Sequence, residues 1–188
     1  RQDTETLVEL VLSEHKEKNI SLLDVCTGSG CIAISLAKLG GYTDVTALDL
    51  SEEALKVARS NGEKLLDQPV KFIKSDMFSA LNPEKQYNVI VSNPPYIPSQ
   101  VIEGLEPEVK DHEPRMALDG EPDGLKFYRI LAEEGKKYLK NGGSIYMEIG
   151  WDQAKDVTEI FEAMGFSGLR TVRDMAGNDR VVCARKEK

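Results

Sequence analysis

The chain has 188 residues, of which 40% are hydrophobic and 30% are charged, a composition typical of one soluble globular domain. Its formal net charge of −8 argues against non-specific binding of a nucleic-acid backbone, which needs clustered lysines and arginines. No apolar run approaches the roughly 18 residues of a membrane span, and the three cysteines lack the spacing of a disulfide framework, which favours a reduced, cytosolic protein.

The chain begins with Arg1 instead of an initiator methionine, and its first residues do not resemble a signal peptide. We therefore expect a fragment of a longer protein. Apolar residues between Asp3 and Lys18 recur at helical spacing, which predicts an amphipathic helix. Residues 1–20 are expected to form the entry segment of a single domain that spans residues 1–188.

Strands and helices are predicted to alternate after this entry segment. The predicted strands are Ser21 to Cys26, Val45 to Leu50, Val70 to Lys74, Tyr87 to Ser92, Ser144 to Ile149, Phe166 to Thr171 and Arg180 to Ala184. The predicted helices that follow the first are Cys31 to Leu39, Ser51 to Leu66, Asp123 to Lys140 and Asp152 to Met164, and a long irregular stretch covers Ile97 to Pro122. This order predicts an α/β fold with a mostly parallel sheet and helices on both faces.

A glycine-rich turn, Thr27-Gly28-Ser29-Gly30, connects the first strand to its helix. Gly28, Gly30 and Ala33 have the spacing of a dinucleotide-binding fingerprint. Asp49 ends the second strand, where a carboxylate can accept hydrogen bonds from both ribose hydroxyls. These features do not by themselves distinguish NAD from S-adenosylmethionine.

Two further carboxylates favour S-adenosylmethionine. Asp24, near the glycine turn, suits the ammonium of a methionyl group and would repel a pyrophosphate. Asp76, after the third strand, precedes Met77 and Phe78, which offer an apolar wall to an adenine ring. Because ligands of open α/β sheets bind at the carboxyl ends of the strands, these carboxylates are expected to share one site.

The tetrapeptide Asn93-Pro94-Pro95-Tyr96 follows a predicted buried strand. Two prolines stop the strand and stiffen the turn, and the Pro94 carbonyl remains free to accept a hydrogen bond. With the side-chain carbonyl of Asn93 and the ring of Tyr96, it forms a clamp for a planar group that carries an NH2. An amide or the exocyclic amine of a base fits this description, although Asn-Pro is also common turn chemistry.

Taken in order, these segments resemble one family. They are Asp24 to Gly30, Asp49, Ser75-Asp76, Asn93 to Ile97, and His112 to Gly120 with Asp123 to Leu125. The chain resembles, over essentially its whole length, the methyltransferase domain of the peptide-chain release factor glutamine methyltransferases. It departs from that family in having Cys26 where many members have glycine, and in lacking the small helical domain that usually precedes this one.

The resemblance implies a class I S-adenosylmethionine-dependent methyltransferase fold, which is Rossmann-like with a seven-stranded sheet. It also implies methylation of the glutamine side-chain amide in the Gly-Gly-Gln motif of class 1 release factors, with S-adenosylhomocysteine as the product. We expect a cytoplasmic monomer that requires no metal and contacts neither nucleic acid nor membrane directly.

The same resemblance assigns the site residues. The implied cofactor contacts are Asp24, Cys26, Thr27, Gly28, Ser29, Gly30, Asp49, Leu50, Asp76, Met77 and Asn93. The implied substrate contacts are Asn93, Pro94, Pro95 and Tyr96, of which Asn93, Pro94 and Tyr96 have catalytic roles.

Three alternative functions stay open at this point. An adenine amine methyltransferase acting on DNA or RNA shares the tetrapeptide, but the net charge of −8 and the lack of a basic insertion argue against it. An NAD-dependent oxidoreductase leaves Asn93 to Tyr96 unexplained. A cofactor-binding module without catalytic activity is disfavoured by the intact clamp.

Overall fold

The computed structural model describes residues 2–105 and 113–188, with only the backbone for residues 2 and 3. Arg1 and His112 lie outside the described residues. The strands are β1 (Ser21–Val25), β2 (Asp44–Asp49), β3 (Lys71–Lys74), β4 (Tyr87–Ser92), β5 (Leu139–Glu148), β6 (Ser167–Arg173) and β7 (Asp179–Arg185). The helices are α1 (Gln2–Glu14), α2 (Cys31–Gly40), α3 (Glu52–Leu65), α4 (Ser99–Ile102), α5 (Lys126–Tyr138) and α6 (Ala154–Ala163), with a 3-10 turn at Arg115–Ala117.

The strands form one seven-stranded sheet in the order β3-β2-β1-β4-β5-β7-β6. The pairs from β3 to β5 are parallel, whereas β7 runs antiparallel to both β5 and β6. This confirms the predicted mostly parallel sheet. The chain order reverses between β1 and β4, where Val25 lies opposite Ser92, and such a switch point is where open α/β sheets bind ligands.

Apolar layers cover both faces of the sheet. In β4, Val89 and Val91 belong to the layer under α1 and α2, whereas Ile90 belongs to the layer under α5 and α6. This alternation follows from the two-residue period of a strand, whose successive side chains point to opposite faces. All five residues of β1 are buried, as expected for a strand at the centre of the sheet.

The segment Asn141-Gly142-Gly143 is the main difference from the predicted elements. The sequence predicts a helix that continues to Lys140, directly before this segment, but α5 ends at Tyr138 and the three residues lie within β5. Gly142 N–H donates to the Lys186 carbonyl, and Lys186 N–H donates to the Gly143 carbonyl, both at 2.9 Å. Pairing with the end of the chain therefore overrides the local turn preference of the glycines.

The described part of the predicted irregular stretch has some regular structure of its own. It contains α4 and the 3-10 turn, and Ile97 forms an isolated parallel bridge with Asp119. In the described parts of the chain we find no helix with both the length and the apolar character needed to cross a bilayer.

Candidate active site

A cavity of about 500 Å³ opens at the carboxyl ends of β1, β2, β3 and β4. Nine of the predicted cofactor contacts line it, namely Cys26, Thr27, Gly28, Ser29, Asp49, Leu50, Asp76, Met77 and Asn93. The four predicted substrate contacts, Asn93, Pro94, Pro95 and Tyr96, lie in the same wall. The structure thus brings together, at the switch point, segments that are up to 70 residues apart in sequence.

The two glycines of the turn have different surroundings. Gly28 has a φ of +57°, and a Cβ atom built on it would meet no atom of the described residues within 4 Å, so this backbone is open to a ligand in the cavity. Gly30 has a φ of +81° and lies outside the cavity wall. A Cβ at Gly30 would come within 3.0 Å of Ile34 and 3.1 Å of Ala58, so this glycine permits close packing between α2 and α3.

The Asp49 carboxylate in the cavity is oriented by two backbone N–H groups. Gly28 N–H donates to its Oδ2 at 2.8 Å, and Ser51 N–H donates to its Oδ1 at 2.9 Å. The Ser51 hydroxyl caps α3 by accepting from Ala54 N–H, which fixes the start of that helix beside the carboxylate. Each Asp49 oxygen has one backbone partner and retains acceptor capacity for a ligand hydroxyl.

Asp24 lies below the cavity wall and is 0% exposed. Its Oδ2 accepts a hydrogen bond from the Thr27 hydroxyl at 2.6 Å, while Oδ1 has no hydrogen-bond partner among the described residues. Burial raises the pKa of Asp24 from its ordinary 3.8 to about 7, against the opposing effect of the Thr27 hydrogen bond. In this position Asp24 supports the glycine turn through Thr27.

Cys26 and Met77 form an apolar part of the wall, with their sulfur atoms 3.8 Å apart. Both residues have positive φ angles, +62° and +49°, a region that favours glycine. The backbone at position 26 therefore explains why glycine suits this position in the resembling family. Burial raises the pKa of the Cys26 thiol far above its ordinary value, so the thiol is neutral and is a poor nucleophile.

Asp76 follows β3 in a turn fixed by its neighbours. Ser75 N–H donates to the Asp49 carbonyl at 2.9 Å, and the Ser75 hydroxyl donates to the Met77 carbonyl at 2.7 Å. Ser75 is buried, whereas Asp76 is exposed and lines the cavity. The wall therefore presents Asp76 and Met77 side by side, as a carboxylate next to an apolar surface.

The Asn93–Tyr96 turn begins where β4 ends. The hydroxyl of Ser92, the last residue of β4, donates to the Val25 carbonyl at 2.7 Å and ties this strand end to that of β1. Beyond the turn, Ile97 N–H donates to the Leu118 carbonyl at 3.0 Å, and Gly120 N–H donates to the Ile97 carbonyl at 2.8 Å. Part of the segment from Glu113 to Leu125 thus lies against the turn and also lines the cavity.

Among the described residues, the charged side chains of the cavity wall are all acidic. Asp49, Asp76 and Glu113 line it, and no lysine, arginine or histidine of the described residues does so. Such a wall suits a cationic ligand and disfavours a pyrophosphate or a nucleic-acid backbone. The acidic wall therefore argues against the NAD alternative, which the spacing of the glycines alone does not exclude.

Sequence reasoning did not identify several residues of the site. Thr4 of α1 and Phe127 of α5 line the cavity, and Gln153 fixes the turn from outside it. Thr4 also donates a hydrogen bond to Glu148 at 2.9 Å, which holds the start of α1 against β5. The sequence carries no local signal for these roles, because each depends on contacts between distant segments.

Comparisons with known proteins agree with this geometry. A family model for the methyltransferase small domain matches residues 2–104. The release factor glutamine methyltransferase of Thermodesulfovibrio yellowstonii is 42% identical, with 100% of this chain and 68% of the relative covered. The protein of the same name from Fusobacterium nucleatum is 44% identical, with 99% of this chain and 53% of the relative covered. The chain thus spans between about half and two thirds of the length of these relatives.

A solved structure also matches along the whole chain. It is the protein-(glutamine-N5) methyltransferase (release factor-specific) from Alicyclobacillus acidocaldarius, which is 31% identical and superposes with a TM-score of 0.60. The match covers 100% of this chain and 94% of that one. The fold is therefore the predicted Rossmann-like methyltransferase fold, and the chain belongs to the release factor glutamine methyltransferase family.

Proposed function

We propose that this chain transfers a methyl group from S-adenosylmethionine to the side-chain amide nitrogen of the glutamine in the Gly-Gly-Gln motif of class 1 peptide-chain release factors. One observation carries the proposal. A single cavity is lined both by the oriented carboxylate of Asp49 and by the Asn93–Pro94 pair, so a donor and an acceptor can meet there.

The cavity residues fit S-adenosylmethionine. The two Asp49 oxygens, each already held by one backbone N–H, can accept from the two ribose hydroxyls. The open backbone at Gly28 allows close approach of the ligand, and Leu50 and Met77 provide apolar surface for the adenine ring. When bound, the cofactor supplies a methyl group on a positively charged sulfur, a charge that Asp49 and Asp76 in the wall complement.

We infer that the buried carboxylate of Asp24 affects S-adenosylmethionine binding indirectly, through the glycine-rich turn that contains Thr27. Its partner Thr27 lines the cavity, whereas Asp24 itself does not. We therefore assign Asp24 to holding Thr27 and Gly28 in position, with the negative charge of its ionised form as a longer-range contribution to cation binding.

Asn93 and Pro94 orient the acceptor. An amide nitrogen is a poor nucleophile, because its lone pair is delocalised into the carbonyl. The side-chain carbonyl of Asn93 and the main-chain carbonyl of Pro94 accept its two hydrogens, which favours a geometry with the lone pair turned toward the methyl group. Tyr96 packs on the amide plane. Positioning of this kind, together with charge complementarity, supplies much of the rate enhancement.

The proposed methyl transfer needs no strong base in the cavity wall. The amide nitrogen forms the new N–C bond, the S–C bond breaks with its electrons left on sulfur, and S-adenosylhomocysteine remains. One N–H proton then leaves to solvent. Removal before methyl transfer is unnecessary, because the positive charge on the newly methylated amide makes that proton strongly acidic.

The names of the relatives and the family resemblance support the release factor as substrate. The experiment incubates the chain with labelled S-adenosylmethionine and either a class 1 release factor or adenine-containing DNA or RNA. A release factor whose motif glutamine is changed to glutamate is the matched substrate control. We expect label only in the unaltered release factor. Label in nucleic acid alone would instead establish the adenine amine alternative.

The place of action and the assembly state remain predictions. We expect the chain to act in the cytoplasm as a monomer, with Cys26, Cys31 and Cys183 reduced, as the described structure has them. Subcellular fractionation and light scattering test these two predictions directly.

A further inference from the structure

Two adjacent prolines restrict the backbone of the Asn93–Tyr96 turn, but they do little to anchor that turn to the rest of the fold. Pro94 and Pro95 have no N–H to donate, so hydrogen bonds that anchor the turn must involve its carbonyl oxygens or the residues around it. The Tyr96 carbonyl accepts a hydrogen bond from Gln153 Nε2 at 2.9 Å. This contact joins the turn to the connection between β5 and α6, 57 residues away.

The amide of Gln153 is held in one orientation. The residue is 7% exposed, and its side-chain Oε1 accepts from Gly150 N–H at 2.9 Å. Its Nε2 donates to the Tyr96 carbonyl and also lies 3.4 Å from the Gly124 carbonyl. A flipped amide would set an NH2 against an N–H and an oxygen against two carbonyls, so only the observed orientation satisfies every group.

Two glycines let the backbone reach this amide. Gly124 has a φ of +73°, and a Cβ there would lie 2.4 Å from the Tyr96 oxygen and 2.9 Å from Gln153 Nε2. A Cβ at Gly120 would lie 2.8 Å from the Gly124 Cα. Three chain segments therefore converge on one buried amide. Neither Gly120 nor Gly124 can carry a larger residue without a shift of the backbone around this amide.

From this convergence we propose that Gln153 is a positioning residue for the methyl transfer. In the described structure it lies outside the cavity wall, so it acts through the Tyr96 carbonyl and not on either reactant. By fixing the end of the turn, it sets where the Asn93 and Pro94 carbonyls point. The assignment rests on the proposed function for its kinetic consequence, but the bracing of the turn can be measured without any substrate.

The test compares Gln153→Glu with Gln86→Glu. The first variant keeps an oxygen for Gly150 N–H but replaces the donor to Tyr96 by a carboxylate oxygen. The control makes the same change at an exposed glutamine that donates to the Lys137 carbonyl at 3.3 Å, at the opposite end of β4. We measure kcat on the release factor, S-adenosylmethionine affinity by calorimetry, and hydrogen exchange at the Ile97 and Gly120 amides.

We expect Gln153→Glu to lower kcat by about ten- to a hundredfold, the usual result of a small misplacement, and to leave cofactor affinity within about threefold. Exchange at Ile97 and Gly120 should be at least about tenfold faster, while exchange in the central strands stays unchanged. The ratio of variant to wild-type kcat should rise as the pH falls, because a protonated glutamic acid can again donate to Tyr96. Gln86→Glu should change none of these quantities.

Wild-type kcat and wild-type exchange in Gln153→Glu would overturn the proposal. A kcat loss accompanied by equal losses of cofactor affinity and of protection throughout the sheet would also overturn it, since that pattern marks a general folding role. If Gln153→Glu does not fold, Gln153→Met, similar in length and uncharged, takes its place, and loss of exchange protection confined to Ile97 and Gly120 supports the proposal. If the wild type methylates no release factor, the proposed function fails, and the exchange data alone decide the role of Gln153.

Discussion

Replacing Asp49 by asparagine tests how the cavity holds its ligand. In the structure both carboxylate oxygens accept backbone N–H groups, from Gly28 at 2.8 Å and from Ser51 at 2.9 Å. An asparagine keeps one of these acceptors and turns an NH2 toward the other N–H. It also removes the charge that strengthens the hydrogen bonds from the ribose hydroxyls.

The expected loss follows from the number of contacts. A hydrogen bond to a charged group contributes about 1.5–3 kcal/mol, and about 1.4 kcal/mol corresponds to tenfold in affinity. Asparagine retains one neutral acceptor, so we expect S-adenosylmethionine to bind about 10- to 100-fold more weakly. The matched control is Asp67→Asn, an exposed carboxylate between α3 and β3, which removes the same charge and should leave binding unchanged.

Isothermal titration calorimetry measures both variants, with S-adenosylmethionine and with an analogue that lacks the ribose 2′-hydroxyl. The double-mutant cycle isolates the contact, because the analogue should lose little further affinity in Asp49→Asn. The assignment of Asp49 to the ribose would be refuted if Asp49→Asn bound S-adenosylmethionine as tightly as the wild type does. It would also be refuted if the substitution weakened binding of S-adenosylmethionine and of the analogue by the same factor.

Three further predictions concern the residues around Asp49. Asn93→Ala should lower turnover by about two to three orders of magnitude with an unchanged circular dichroism spectrum, and an active variant would refute the role of Asn93 in the clamp. The control Asn82→Ala, in an exposed turn between β3 and β4, should be fully active. The pKa of Asp24 is about 7 in the folded protein, against an ordinary 3.8, so the folded state binds more protons than the unfolded state between these pH values. The free energy of unfolding should therefore fall as the pH rises from 4 through 7, by at most about 4 kcal/mol. Urea unfolding of Asp24→Asn should lack this decline, and parallel pH profiles for the two proteins would contradict it. At Cys26, where φ is +62°, glycine should give a protein about 1 kcal/mol more stable in thermal unfolding than alanine does, because only alanine carries a strained Cβ; equal stabilities would count against strain at this position.

Much of the site could be predicted from the sequence, because its residues follow strands that short apolar runs predict. The turns after β1, β2, β3 and β4 each follow a strand that the sequence predicts. Parallel strands bring their carboxyl ends to the same side of the sheet, so these turns come together there. Asp49, Asp76 and Asn93 therefore meet in the structure as a cavity wall. Local pattern and global topology agree at these positions.

Other features depend on contacts that no local pattern encodes. The amide of Gln153 has partners 57 and 29 residues away, and nothing near it in sequence indicates either of them. Asp24 lies in the predicted first strand, but it does not line the cavity with Asp49 and Asp76. Its complete burial and its hydrogen bond to Thr27 emerge only when the neighbouring strands are in place. Gly142 and Gly143 join a strand because the end of the chain pairs with them.

The most direct test is a crystal structure of the chain with S-adenosylhomocysteine and a glutamine-containing peptide from the release factor motif. We predict the glutamine amide nitrogen at about 2.9 Å from both the Asn93 side-chain oxygen and the Pro94 carbonyl oxygen, facing the cofactor sulfur. A glutamine bound elsewhere, or two carbonyls that point away from the sulfur, would contradict the account.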